Sequence, residues 1–387
     1  MLLLASESSG RRRSVMNMAR ELSLTTSYYN NAVSLDQQLN SKVRSLVLLT
    51  MADISIGKAT VLRKAQQRAS FGLIIAATRD EVRDVYEEEV LQELDQLEDV
   101  CWLPCDFSNY QLLKAARECR QKMLRISADD LRAALRNGEF SLRYQPKVMR
   151  GDGNAWQTTE AEALLRWRHP QHGIIGPLEF LPELEAFDLM PAVSEFVLKE
   201  AAMQLVRWRE QGLQLNSCIN LASSQLNDPG LADTYERVIK EHGLACSNFT
   251  FEVIEQDIAS SNSPHLNVLR ELREKGFRIS LDDFAAATAS LGTLEALPVD
   301  EIKIHAAALK RARQSPVAQT ILAAVTGLAH NLGISVCAEG VEDRETYEFL
   351  DKIGCDKLQG YLISEAVMPE LIQSGYGADA IEVHAVA

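Results

Sequence analysis

The chain has 387 residues, 46% hydrophobic and 24% charged, with ordinary glycine and proline levels; this is a globular composition, and the length suits two domains. A net charge of −14 argues against broad binding to nucleic acid or to an anionic membrane, because both require clustered cations. No apolar run reaches the ~18 residues of a membrane helix, and the leading "MLLL" lacks the basic flank and long apolar stretch of a signal peptide, so a cytoplasmic location without membrane insertion is expected.

The first part of the chain alternates strand-like and helix-like runs: "MLLLAS", "RRRSVMNMAREL", "SLVLLT", "IGKATVLRKAQQ" and "FGLIIAA". One long acidic helix is predicted over "RDEVRDVYEEEVLQELDQLED", then a strand at "VCWLP" and an amphipathic helix at "NYQLLKAARECRQKML". Apolar strands interleaved with helices predict a doubly wound parallel sheet over residues 1–125. This part resembles a response-regulator receiver domain in strand order, in length and in the "LP" that opens its last loop. It departs from that family at the chemistry. Ala5 and Ser6 stand where a receiver has an acidic pair, Thr50 where it has the phospho-accepting aspartate, and Leu103 where it has a lysine. Glu7 and Asp53 are the nearest acids. The expectation is a receiver-like domain that takes no phosphate and serves for docking or dimerisation.

From residue 126 to 387 the rhythm changes. A capped helix, "SADDLRAALRNG", leads into "EFSLRYQPKV", and strand-like segments recur at "AEALLRWR", "SCINLA", "FTFEVIE", "FRISLDDF", "VDEIKIH", "SVCAEGV" and "KLQGYLI". Helical stretches lie between most of them, which predicts a (β/α)₈ barrel with its chemistry at the carboxyl ends of the strands. Seven cysteines are scattered without a CxxC pair, so buried free thiols are expected rather than disulfides or a zinc site.

Successive strands carry a polar residue where a structural strand would be apolar: Glu162, Asn220, Glu252 and Glu255, Asp282 and Asp283, Lys303, Glu339 and Glu342, and Gln359. Barrel closure would gather these into one pocket. Adjacent carboxylates repel one another unless a cation lies between them, and hard oxygen ligands suit Mg²⁺ or Mn²⁺ where zinc would prefer His and Cys. The pattern predicts a divalent metal centre, with two ions.

The segments "YQPKV", "EALLRWRHP", "INLASSQ", "FEVIE", "LDDF", "EIKI", "CAEGVE" and "LQGYLIS" closely resemble the EAL domain of cyclic di-GMP phosphodiesterases. The resemblance implies hydrolysis of cyclic di-GMP to linear pGpG. It implies Glu162, Asn220, Glu252 and Asp282 as ligands of one metal, with Asp283 reaching the second or bridging the pair. Lys303 would position the attacking water and Glu339 would act as general base or hold a metal-bound water. Gln145, Leu165, Arg166 and Gln359 would bind substrate, and Glu255 would anchor the loop after the paired aspartates. A homodimer or a signalling protein partner is expected. The chain departs from the family in that loop, where "DDFAAATASL" replaces a form like DFGTGYSSL, and Ala285, Ala286, Ala287 and Thr288 stand for glycine, threonine, glycine and tyrosine. Ile254 replaces a threonine, His305 the aspartate of "KID" and Ser224 an arginine. These changes leave open a second expectation, a cyclic di-GMP receptor with little turnover.

Overall fold

The computed structural model describes residues 2–6, 15–16, 18–19, 25–39, 45–66, 71–86, 88–97, 100–124, 126–150, 156–258, 264–284 and 297–372. It divides into two compact units, one of Met1–Ser141 with Arg166–Phe187, the other of Leu142–Leu165 with Asp188–Ala387.

In the first unit five parallel strands, β1 (Leu2–Ser6), β2 (Thr25–Tyr29), β3 (Ser45–Thr50), β4 (Phe71–Ala76) and β5 (Val100–Leu103), pair in the order β2-β1-β3-β4-β5. Side chains alternate across a strand. Val47 and Leu49 therefore pack on one face with Leu35, Leu62 and Leu91, while Leu46 and Leu48 pack on the other with Leu112, Ala116 and Cys119. Cover on both faces explains why the strands read as continuous apolar runs. The sequence reading missed β2, whose "TTSYY" is polar and only partly buried. The single acidic helix is instead two, Arg79–Val85 and Glu88–Asp95. Between them Tyr86 is extended and its hydroxyl donates to the Met51 carbonyl at 2.5 Å, a tie that holds the chain out of helical register.

The helix Ala128–Arg136 begins where the sequence predicts, because Ser127 and Asp130 cap each other reciprocally: the Asp130 amide donates to the Ser127 hydroxyl at 3.2 Å and the Ser127 amide to the Asp130 carboxylate at 3.0 Å. Gly138, at φ 65°, then turns the chain. Near the end of the barrel's second strand, Trp167 packs against Phe140 and Phe180 and donates from Nε1 to Glu139 at 2.9 Å. His169 ends that strand, its Nδ1 accepting from the amides of Gln171 and His172 in the turn that follows.

The remaining strands form the barrel: β6 (Phe140–Arg150), β7 (Trp156–His169), β8 (Gly173–Ile175), β9 (Asn216–Asn220), β10 (Phe249–Ile254), β11 (Arg278–Phe284), β12 (Glu301–Ile304), β13 (Ser335–Ala338) and β14 (Lys357–Leu358). They run in the order β6-β14-β13-β12-β11-β10-β9-β7-β8, and a β6–β7 pairing closes the ring. From β7 through β14 every neighbour in the ring is parallel, but β6 runs antiparallel to β14. One strand is thus reversed relative to the all-parallel arrangement, and β8 is a short edge strand antiparallel to β7. Of the cysteines, Cys105 is exposed and the other six are buried free thiols. Among the described residues no helix is long and apolar enough to cross a membrane.

Replacing Ser127 with alanine removes one side of the cap and should cost about 1 kcal/mol of stability, read as a lower urea midpoint followed by circular dichroism.

Candidate active site

Residues two apart on a strand share a face, and six barrel strands use this spacing twice over. The pairs are Gln145 and Lys147 on β6, Glu160 and Glu162 on β7, Cys218 and Asn220 on β9, Ser280 and Asp282 on β11, Glu301 and Lys303 on β12, and Lys357 and Gln359 at β14. Their contacts sort into two layers. In the deeper one Lys357 pairs with Glu160 at 2.8 Å and with Glu301 at 2.7 Å. Ser280 donates to Glu301 at 2.8 Å, and the Cys218 thiol lies 3.6 Å from Glu160. Lys147 and Lys357 hold Glu301 down to about 2 against the effect of burial, so it stays ionised.

Nearer the carboxyl ends of the strands, Glu162 accepts from Asn220 at 2.8 Å and from Gln359 at 2.7 Å. Gln359 also donates to Gln145 at 3.1 Å, and Gln145 in turn donates to the Ser364 carbonyl at 3.0 Å. Glu252 is fully enclosed between two ammonium groups. Lys147 Nζ lies 2.5 Å from its Oε1 and Lys303 Nζ 2.5 Å from its Oε2. Lys303 also pairs with Glu339 and lies 3.5 Å from Asp282.

Burial works against charge on both lysines, yet the carboxylates outweigh it: Glu252 and Glu301 around Lys147, and Glu252, Glu162 and Glu339 around Lys303. Both remain ammonium ions. Burial would raise Glu162 as well, but Lys303 and Lys147 bring it below its ordinary value. Glu339 goes the other way. Burial raises its carboxyl to about 8, with Asp282, Glu162 and Glu252 adding to the rise and Lys303 only partly opposing it.

Two glycines set the approach of these groups. Gly340 follows Glu339 at φ 67° and a Cβ there would collide with Ala306. Gly360 follows Gln359 at φ 155° and a Cβ would overlap the Val341 backbone. The close pass is recorded in the Val341 amide, which donates to the Gln359 carbonyl at 3.1 Å.

The sequence-derived residues fall into three groups. Glu162, Asn220, Glu252, Asp282, Lys303, Glu339, Gln359 and Gln145 are joined by the contacts above. Asp283 turns aside at φ 59°, half-exposed, with its carboxylate 3.6 Å from His305 Nε2. Glu255 opens a helical turn rather than continuing β10, and burial raises its carboxyl. Leu165 is buried and Arg166, half-buried, belongs to the other compact unit. Glu342 is exposed. Glu7 and the altered loop, with Ala285, Ala286, Ala287 and Thr288, lie outside the described residues. Sequence reasoning missed Lys147, Glu160, Glu301 and Lys357. The signal was present as a second polar residue two places before or after a recognised one.

Glu162, Glu252 and Glu339 each offer a carboxylate oxygen, and the three atoms lie within 4.8 Å of one another. An all-oxygen set of this spacing fits a hard divalent cation. The fold and the site together define a barrel protein with an acidic, lysine-supported mouth whose carboxylates could hold a metal ion. The EAL domain model matches residues 128–366, and the chain belongs to that family. A cyclic di-GMP phosphodiesterase of Pseudomonas aeruginosa is 36% identical over 234 residues, covering 60% of this chain and 39% of that protein. The cyclic di-GMP phosphodiesterase PdeR of Escherichia coli is 30% identical over 237 residues, 61% of this chain and 35% of that protein. The chain therefore spans well under half of either. Among solved structures, the phosphodiesterase PaMucR in complex with c-di-GMP aligns at a TM-score of 0.58 and 35% identity, over 63% of this chain and 98% of that one.

Two outcomes follow from the geometry. Gly360→Ala should lower the melting temperature by several degrees, the cost of forcing a side chain into backbone, as scanning calorimetry would read. Folded Glu339 keeps a proton that the unfolded chain has released, since its carboxyl rises from 4.5 to about 8. Stability in EDTA should therefore fall as pH climbs through that interval, and Glu339→Gln should flatten the slope in melts taken across it.

Proposed function

We propose that the chain hydrolyses one phosphodiester of cyclic di-GMP to linear pGpG with the help of divalent metal, in cytoplasmic second-messenger signalling. The observation that carries this reading is the convergence of Glu162, Glu252 and Glu339 on one small volume, beside the Lys303 ammonium, in a chain of the EAL family. Glu162, Asn220, Glu252 and Asp282 would hold one Mg²⁺ or Mn²⁺ ion and Asp283 would contribute to a second. Bound there, such ions supply Lewis acidity and offset charge on the phosphate and the leaving oxygen.

The protein's own groups do the rest. Lys303 donates a hydrogen bond that orients the attacking water, and Glu339, which would lose the proton that burial keeps on it once a divalent cation sits among the carboxylates, accepts the proton that the water gives up. The water oxygen bonds to phosphorus, the bond from phosphorus to the 3′ oxygen breaks, and the proton ends on the departing 3′ hydroxyl. Arg166 steadies a phosphate, while Gln145, Leu165 and Gln359 line the nucleotide groove.

A specific observation supports the second reading, a receptor that binds cyclic di-GMP with little turnover. Asp283 pairs with His305 instead of joining the carboxylate cluster, and alanines replace the glycines that follow it. Incubating the purified chain with cyclic di-GMP and Mg²⁺ or Mn²⁺ should give pGpG on chromatography, and Glu162→Ala should reduce the rate to background. Binding by calorimetry with no linear product would favour the receptor. If backbone restriction in the altered loop limits turnover, Ala285→Gly with Ala287→Gly should raise the rate.

We read residues 1–125 as a receiver-like domain that is not phosphorylated and that acts through a homodimer or a signalling partner. The β2-β1-β3-β4-β5 order supports the likeness, being that of flavodoxin-like folds. Thr50 ends β3, and the acid beyond it, Asp53, is buried and committed to the Thr50 amide and hydroxyl at 3.1 and 2.5 Å and to Lys58 at 3.5 Å. Acetyl phosphate with Mg²⁺ should leave no acid-labile phosphate on this domain; its appearance there would overturn the reading.

A further inference from the structure

The residues that the proposed reaction does not use form one continuous chain of alternating charge through the barrel floor. Arg278 lies 3.9 Å from Glu160, Glu160 pairs with Lys357, Lys357 with Glu301, and Glu301 lies 3.8 Å from Lys147. Lys147 then meets Glu252, and Glu252 meets Lys303. Glu160, Glu301, Lys147 and Lys357 are all buried, Lys147 completely. A buried charge is retained only where partners replace its lost hydration, and in this chain each link is the partner of the next.

Lys147 is the link that joins the floor to the metal-binding carboxylates. It comes from β6, the reversed strand, and holds Glu252 Oε1 from below while Lys303 engages Oε2. Ser280 and Lys357 keep Glu301 in place, so the anchor itself rests on fixed groups. Fixed support of this kind, one shell behind the ligands, is what gives a metal site its geometry.

We propose that Lys147 is a positioning residue for the metal site: by pinning Glu252 Oε1 it fixes the orientation in which that carboxylate offers an oxygen to the cluster it forms with Glu162 and Glu339. The inference rests on the metal-binding reading above and assigns it a further residue. Two effects oppose each other when Lys147 is removed. Losing a nearby positive charge favours a divalent ion, and losing the anchor leaves a buried carboxylate short of a partner and free to reorient. Because Glu252 is fully enclosed, the second effect governs.

The test uses Mn²⁺ alone, with the full chain and no nucleotide, counting free Mn²⁺ by electron paramagnetic resonance. Lys147→Met should weaken Mn²⁺ binding at least tenfold with its circular dichroism intact, in keeping with the ten- to hundredfold losses typical of supporting residues behind metal ligands. Arg278→Gln removes the charge at the far end of the same chain, where the ion pair is with Glu160, and should leave Mn²⁺ affinity unchanged. If Lys147→Met does not fold, Lys147→Gln gives the same reading with the same two outcomes. Mn²⁺ affinity unchanged or tighter in the folded Lys147 variant would refute the positioning role alone. A wild-type chain that binds no Mn²⁺ would overturn both this role and the metal reading it rests on.

Discussion

The enclosure of Glu252 between two ammonium groups is the interaction on which the rest of the barrel depends. A carboxylate with no exposed surface has lost its hydration, and polar partners must replace it. Lys147 and Lys303, from strands on either side of β10 in the ring, each supply one contact. The consequence spreads outward. The two lysines are themselves buried and need their own anions, which are Glu301 for one and Asp282 and Glu339 for the other. The site is therefore not a set of acids attached to a scaffold. It is one end of a charge network whose other end lies in the barrel floor.

The network follows from strand geometry. Side chains two residues apart stack along one face of a strand, and a barrel interior is filled in layers from successive strands. Most such interiors are apolar. Here the deeper layer is Glu160, Glu301, Lys357 and Lys147, and the outer layer is the site. Ionic layers are weaker evidence of stability than apolar ones, because desolvation offsets much of the attraction. Their benefit lies in direction: each pair fixes a rotamer, and fixed rotamers hold ligands where a cation can use them.

The barrel and most of the outer layer of the site were legible in the sequence, because each recognised residue sits at the end of an apolar strand followed by turn residues; the reversal of β6 was not. The deeper layer was not read, although its signal was two residues away. Lys147 lay within "YQPKV", and nothing in a single strand reveals that it faces Glu252 across the ring. Its strand runs opposite to the others, so its two inward residues appear in reversed order of depth, with Gln145 toward the mouth and Lys147 toward the floor. In the first unit, β2 was missed because its polar, half-buried residues carry no apolar run. The acidic helix was read as unbroken because the tie from Tyr86 to Met51 links residues 35 apart, beyond the reach of local periodicity.

Asp282 and Asp283 show how one change of backbone separates adjacent carboxylates. Asp282 lies on the inward face, close to Lys303, and it also accepts from the Asp283 amide at 2.8 Å. That bond accompanies the positive φ of Asp283, a conformation that aspartate tolerates better than most residues because its short polar side chain can bond locally. The turn carries the second carboxylate away from Lys303 and toward His305, on a strand end where the side chain is half-exposed. Two neighbouring acids thus have different electrostatic settings: one lies within the ammonium network and the other faces a histidine near solvent. Under the proposed function, the first metal position draws on groups already locked by the floor. The second depends on Asp283 and on a loop whose glycines are gone, so any loss of turnover in this chain would arise at the second position and leave the first intact.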